Sequence, residues 1–410
     1  MTRSLAILTL LILFSSCEKN HDNIEPILKL YGDAYEDIGY SIARDNNGYI
    51  IAGQFTGITR NENNFIEGSR KQMAVIKTDA EGNTIWKRGL GDRSQAVGLK
   101  VITLEDGSII STGYIIDTVT LKKDLFVVKM DADGTGPQYK IFKHAGNQFG
   151  TDIIKTQEGF MILGTTDVPK PQAGPFSGNV SGKKDILIFR IDNNLEKIYE
   201  IAHGFPGDDE GLALKADRDG GYIVVGTTDR SELDPDEQAG NNIFLLRVNE
   251  DGSATYPGII GRTEDEYAAD IEVLNDGYLV AGTIGNEETD QKGYIWRLSS
   301  DIYAPAIDEH EIVIFKTPSE RLFFSIKAIS KYKTNSFIMA GQSGTGSSAD
   351  MLIFITDSDG NLVKDKVMVT GSTGMQVAFD VISDDDDNII AVGKNSYENN
   401  SMISLFKFKF

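Results

Sequence analysis

The chain has 410 residues, 40% hydrophobic and 25% charged, enough apolar material for a large core and too much for a disordered chain. Its formal net charge of −21 argues against a nucleic-acid backbone or an anionic membrane surface as partner, because both recruit positive fields. The single cysteine, Cys17, excludes an intramolecular disulfide framework, so packing must supply the stability.

In chain order, Arg3 is followed by the apolar run Leu5 to Phe14, the small residues Ser15 and Ser16, and then Cys17. The run is short for a membrane span and has the layout of a signal peptide over residues 1–16. Small residues directly before a cysteine resemble the lipobox of bacterial lipoproteins. The resemblance implies that Cys17 is acylated and that the chains anchor the protein stably to a membrane. Residues 17–25 read as a polar, lipidated tether. Within it, Glu18-Lys19-Asn20-His21-Asp22 resembles surface-export signals of Bacteroides-like bacteria, which implies an outer-membrane lipoprotein. Surface and periplasmic orientations both stay open.

From residue 26 onward the chain repeats. Asp37 to Arg44 reads as a first strand, Asp45-Asn46-Asn47-Gly48 as a tight turn, and Tyr49 to Gly53 as a second strand that is nearly all apolar. A variable loop follows, then a third strand at Met73 to Lys77, a turn at Asp79-Ala80-Glu81-Gly82-Asn83, and a fourth strand at Thr84 to Arg88. The second strand returns six times, closing on Gly113, Gly164, Gly226, Gly282, Gly341 and Gly393. Four short strands per unit, with no helical stretch between them, predict an all-β fold: a seven-bladed β-propeller of four-stranded antiparallel blades over residues 26–410. The last unit reaches only a third strand, Ser404 to Phe408. Residues Ile27 to Tyr31 align with the fourth strand of the first unit. The two ends are therefore expected to complete one blade, which removes both open edges.

The units resemble a family of secreted and lipid-anchored bacterial β-propellers whose repeat runs G-D-x-x-D, then D-G-G-Y-I-V-A-G-T-T, then L-V-K-L-D-x-x-G-N-x-x-W. The resemblance covers Ile27 to Phe410. It is weakest in unit six, where Ser319-Glu320-Arg321 replaces the opening glycine, and in unit five, whose third turn is replaced by Ser299 to Glu311. It implies the fold firmly and an activity hardly at all.

Chain order sorts the connections onto two faces. One face carries the short turns. The other carries the unit-to-unit connections and the long second-to-third segments, 54–72, 167–184 and 229–242. Length variation on a fixed scaffold marks that second face for binding. Its acidic and aromatic connections supply the candidate ligand-binding residues: Tyr35, Glu36 and Asp37; Asp208, Asp209 and Glu210; and Asp265, Glu266 and Tyr267.

Catalytic signals are absent. His21, His144, His203 and His310 lack metal-ligand spacing, so no metal is expected. Asp131-Ala132-Asp133-Gly134 and Asp357-Ser358-Asp359-Gly360 resemble the start of a calcium loop, but the twelfth positions are Phe142 and Met368, which leaves hairpin turns. No nucleophile elbow or phosphate cradle occurs, and no cofactor is expected. Trp86 and Trp296 read as core. The expectation is a non-enzymatic, monomeric binding module for a protein or glycan, with no nucleic-acid partner. Two other classes compete: a polysaccharide-active hydrolase or lyase with carboxylates at the channel mouth, and a structural subunit of an envelope complex.

Overall fold

In the computed structural model the described residues are 25–32, 35–60, 66–91, 94–167, 183–204, 207–229, 240–260, 265–285, 291–299, 307–311, 315–317, 320–321, 324–397 and 400–410. The leader, Cys17 and residues 18–24 of the tether lie outside them. Seven four-stranded antiparallel sheets follow one another in a ring, and the fold is a seven-bladed β-propeller. Blade 1 comprises Ile38–Asp45, Gly48–Arg60, Ile66–Asp79 and Thr84–Leu90. The innermost strands of blades 2 to 6 are Ala96–Thr103, Gln148–Thr156, Asp209–Ala216, Glu266–Leu274 and Phe324–Lys331. Blade 7 comprises Gln376–Ser383, Ile389–Tyr397 and Asn400–Phe408, and its outermost strand is Ile27–Tyr31 from the other end of the chain. The closing register runs from Ile27 opposite Lys407 to Tyr31 opposite Ile403. The same strand grips blade 1. The Tyr31 hydroxyl donates to the Gly82 carbonyl at 2.7 Å, and Lys29 Nζ donates to Asn83 Oδ1 at 2.8 Å.

The core is a set of wedges between blades. Ile50, Ala52, Met73 and Val75 of blade 1 pack on Val101, Phe126 and Val128 of blade 2. Ile51, Ala74 and Ile76 pack on Ile390, Val392 and Leu405 of blade 7. Each second strand lies between two partners in its own sheet and two neighbouring blades. Both of its faces are therefore apolar, and Gly159–Thr166 and Gly277–Ile284 are buried along their whole length.

The closing glycines have a steric cause. Each innermost strand carries a bulge near its start, between Gly39 and Ser41 in blade 1 and at the equivalent place in all the others. The carbonyl of the residue just before each bulge lies against the closing glycine. A Cβ on Gly53 would lie 2.0 Å from the Ile38 oxygen, on Gly164 2.1 Å from that of Phe149, and on Gly393 1.8 Å from that of Val377.

Three features differ from the sequence reading. Most of segment 54–72, read as a loop, continues the blade 1 ladder from Gln54 opposite Met73 out to Arg60 opposite Ile66. The entry to blade 6 carries an extra two-stranded sheet, Phe315–Thr317 with Glu320–Arg321. Trp296 is core at 1% exposure, whereas Trp86 is only partly buried, packed at the edge of the wedge between blades 1 and 2. The calcium-like segments are turns. Asp133 Oδ1 accepts the Thr135 N–H, Asp357 Oδ1 accepts the N–H groups of Asp359 and Asn361, and Gly134 supplies the left-handed φ of 74°.

Candidate binding site at the channel mouth

The innermost strands all start on the face that carries the unit-to-unit connections. Their backbones are tied there in a repeated way. The Asp37 amide donates to the Ser401 carbonyl at 3.0 Å and the Asp209 amide to that of Lys184 at 2.9 Å, so each connection clasps the preceding blade. The carbonyls of Asp208 and Asp265 accept amides from the ends of their own second strands, at Asp229 and Gly285.

The nine candidate residues separate by burial. Asp37, Asp209 and Glu266 occupy the same position in three blades and are at most 1% exposed. Asp37 Oδ1 accepts the Thr56 amide at 2.6 Å, so that carboxylate organises its own blade. Asp265 Oδ1 likewise accepts the Asn241 amide at 2.8 Å. Asp208, Glu210 and Tyr267 line a cavity of about 490 Å³ that reaches from Lys184 at the edge of blade 3 to Lys327 on blade 6. Its wall also includes Thr227, Asp229, Asn241, Thr283 and Gln291. Lys184 Nζ lies 2.8 Å from Glu210 Oε1 and 3.9 Å from Asp208 Oδ2. The hydrogen bond to Glu210 raises the lysine pKa. Among the described residues Asp208 Oδ1 is buried with no hydrogen-bond partner. The Tyr267 hydroxyl accepts from Asn241 Nδ2 at 3.0 Å. Tyr35, Glu36 and Asp37 are on blade 1, away from this cavity.

An aromatic arc occupies the other side of the mouth. Tyr40 and Phe379 sit at the bulges of blades 1 and 7, with ring centroids 5.4 Å apart. Tyr114 and Phe149, of blades 2 and 3, meet edge to face at 6.4 Å. All four rings are partly exposed. Burial raises the Tyr40 pKa to about 12, with Tyr114 and Glu36 adding to the shift, which places Glu36 on this side. Lys123 Nζ lies over both rings of the second pair, 4.4 Å from the Tyr114 centroid and 5.0 Å from that of Phe149. Burial lowers its pKa, while Glu210 opposes that shift and Lys184 adds to it. Glu210 and Lys184 of the cavity wall thus share an electrostatic environment with Lys123.

Below the mouth the channel is crossed by charge. Asp152, Asp270 and Asp380 follow the bulges of blades 3, 5 and 7. Each carboxylate accepts the amide of its own next residue and one from the next blade: Leu214 at 2.8 Å, Ile329 at 3.2 Å and Ile42 at 3.0 Å. Lys100 Nζ reaches Asp380 at 3.4 Å, and Lys215 Nζ lies 3.5 Å from Glu272 and 3.8 Å from Asp270. Burial opposes the charged form of Lys100, yet Asp380 and Asp152 hold its pKa up to about 12. Burial raises the pKa of Asp152. Among the described residues no group of three His, Cys, Asp or Glu side chains could hold a metal ion. His144 pairs with Glu200 at 3.0 Å, and His203 is buried with Nε2 3.1 Å from the Gly252 carbonyl.

The sequence reading missed the aromatic arc, Lys123 and the channel charges. A signal existed in the units. Aligned on the residue opposite each closing glycine, the next column reads Tyr40, Leu99, Thr151, Leu212, Ala269, Lys327 and Phe379. The column after it reads Ser41, Lys100, Asp152, Ala213, Asp270, Ala328 and Asp380, and it carries the channel charges.

No protein-family model and no curated protein matches the sequence. Solved structures do match. A Trypanosoma rangeli sialidase in complex with the inhibitor DANA superposes with a TM-score of 0.50 at 9% identity, over 93% of this chain and 59% of that one. An acylaminoacyl peptidase from Pyrococcus horikoshii gives 0.50 at 11% identity, over 90% and 51%. A puromycin hydrolase gives 0.50 at 11% identity, over 87% and 50%. The chain thus spans between half and six-tenths of the length of these proteins. At such identities the likeness shows the propeller fold alone.

Proposed function

We propose that this chain is an envelope lipoprotein whose propeller binds a saccharide at the mouth of its central channel. The observation that carries the reading is the arc Tyr40, Tyr114, Phe149 and Phe379 beside a polar cavity of about 490 Å³. Partly exposed rings offer flat apolar faces to sugar C–H groups, and the acids and amides opposite offer partners to hydroxyls. The buried, unpartnered Asp208 Oδ1 is an acceptor suited to such a hydroxyl. The test is calorimetric titration of the protein with saccharide panels, beside a Tyr114→Ala variant. Binding that weakens at least tenfold in the variant supports the reading, and no binding to any saccharide refutes it.

Anchoring rests on the leader residues and on Cys17. A membrane-held protein that becomes extractable without detergent as Cys17→Ala, with loss of acyl labelling, supports the anchor. The repeat resemblance agrees with an exported, monomeric propeller, facing either the surface or the periplasm.

A second reading is cleavage of the bound saccharide. Asp208, Glu210 and Asp229 line one cavity, and paired carboxylates are what glycoside hydrolysis needs. Lys184 already engages Glu210 and Asp208, which favours binding over catalysis. Reducing-end release from a bound saccharide, abolished by Glu210→Gln, would favour the enzyme.

A further inference from the structure

Lys123 stands apart from the other lysines around the mouth. Lys184 is paired with Glu210, and Lys71 with Glu36 at 2.8 Å. Among the described residues the Lys123 ammonium makes ring contacts to Tyr114 and Phe149 and reaches no carboxylate or hydrogen-bond acceptor. The chain has 61 acidic side chains against 40 basic ones, so a lysine left without an acid partner runs against composition. It is also held in place. Its backbone amide donates to Asn147 Oδ1 at 3.0 Å, and its ammonium lies over both rings. A partly buried ammonium gains most from a counter-ion that arrives already desolvated on one side.

We infer that Lys123 is the residue that reads the carboxylate of an acidic saccharide, of uronic-acid type, with its sugar ring stacked on the Tyr114–Phe149 pair. This rests on the saccharide-binding reading above. The neighbouring wall limits the charge that the ligand can bring. Asp208 and Glu210 would repel a phosphate dianion or a polysulfate but accept hydroxyls, so one negative charge per ring fits best. The cation–π contacts keep Lys123 aimed without neutralising it.

The test is isothermal titration of full-length, detergent-solubilised protein with tetramers of galacturonate, glucuronate and mannuronate, and with their methyl esters. Esterification removes the charge and leaves the hydroxyls and ring faces. The wild type is expected to bind at least one acid tetramer about tenfold more tightly than its ester. Lys123→Gln should abolish that preference, and Lys123→Arg should keep it. Thermal melting of each variant checks folding. Equal affinity for acid and ester in the wild type, or a preference that survives Lys123→Gln, overturns this inference and leaves saccharide binding standing. No binding of either form, with neutral saccharides also silent, overturns both.

Discussion

Asp380 of blade 7 accepts the backbone amide of Ile42 in blade 1 at 3.0 Å, across a separation of 338 residues. The same carboxylate accepts the Ser41 hydroxyl at 2.9 Å, its own neighbour Val381 at 2.9 Å, and Lys100 of blade 2 at 3.4 Å. One side chain therefore ties three blades together at the axis. Asp380→Ala leaves the Ile42 amide and Lys100 without their acceptor, and the expected cost is about 3 kcal/mol. Asp380→Asn keeps an acceptor and should lose less. Urea midpoints rank the two, and faster exchange of the Ile42 amide in the alanine variant would localise the damage. An alanine variant as stable as wild type would show that the clamp is dispensable.

The closing glycines should resist substitution even though they lie in strands. A Cβ on Gly226 would sit 2.1 Å from the Glu210 carbonyl and 2.3 Å from the Phe244 ring. One contact is backbone, so relief requires moving the bulge that also carries Glu210 to the cavity. Gly226→Ala should cost about 1–3 kcal/mol and weaken ligand binding in parallel. Gly220, where a Cβ would meet nothing within 4 Å, has a φ of 88° and tests backbone conformation alone. Melting temperatures of the two alanine variants separate steric from conformational cost.

This shows what could be read in the units and what could not. Strand order, blade number and the pairing of Ile27 to Tyr31 with the last strand follow from local pattern and edge satisfaction, and each appears in the structure. The glycine recurrence was visible, but its cause was not, because the colliding carbonyl belongs to another strand. The channel charges and the aromatic arc escaped for a different reason. Lys123 lies in blade 2, Phe149 in blade 3 and Glu210 in blade 4, and only the stacking of consecutive blades around the axis makes them neighbours. Acidic connections drew attention by composition, yet burial turned Asp37, Asp209 and Glu266 inward.

Ring closure depends on the first described strand. Its backbone satisfies the outer edge of Asn400–Phe408, and Tyr31 adds a 2.7 Å hydrogen bond to blade 1. Deleting residues 27–31 should abolish cooperative unfolding, because both blade 7 and its contact with blade 1 lose a face. Tyr31→Phe removes only the hydroxyl and should cost about 1 kcal/mol. A deletion that still melts sharply near the wild-type temperature would mean that six complete blades and a three-stranded seventh suffice.

Lys215 gives a second test of the channel. It stands between Asp270 and Glu272, and those acids raise its pKa even though burial opposes the charge. Lys215→Met should cost about 1–3 kcal/mol, because it leaves two neighbouring, largely buried acids on one strand without their counter-ion. Adding Glu272→Gln should restore part of that loss. A double mutant no more stable than the single one would show that the lysine acts through packing alone.

Acid should weaken the contact between blades 2 and 3 through Glu200. Burial opposes its charge, but hydrogen bonds from His144, Gln148 and Lys197 outweigh it and hold the pKa down to about 2. A carboxyl whose folded pKa is depressed binds its proton more weakly folded than unfolded, so its contribution is complete above the ordinary glutamate range, near 4.5. The contribution drains away as pH falls from there towards about 2, and its upper bound is about 3 kcal/mol. Glu200→Gln should therefore be less stable than wild type at pH 6, and the gap should narrow as pH falls and close only below about pH 2. Denaturant midpoints of both proteins across that range read the difference directly. A gap that stays constant with pH would assign the loss to shape and hydrogen bonding rather than to the charge.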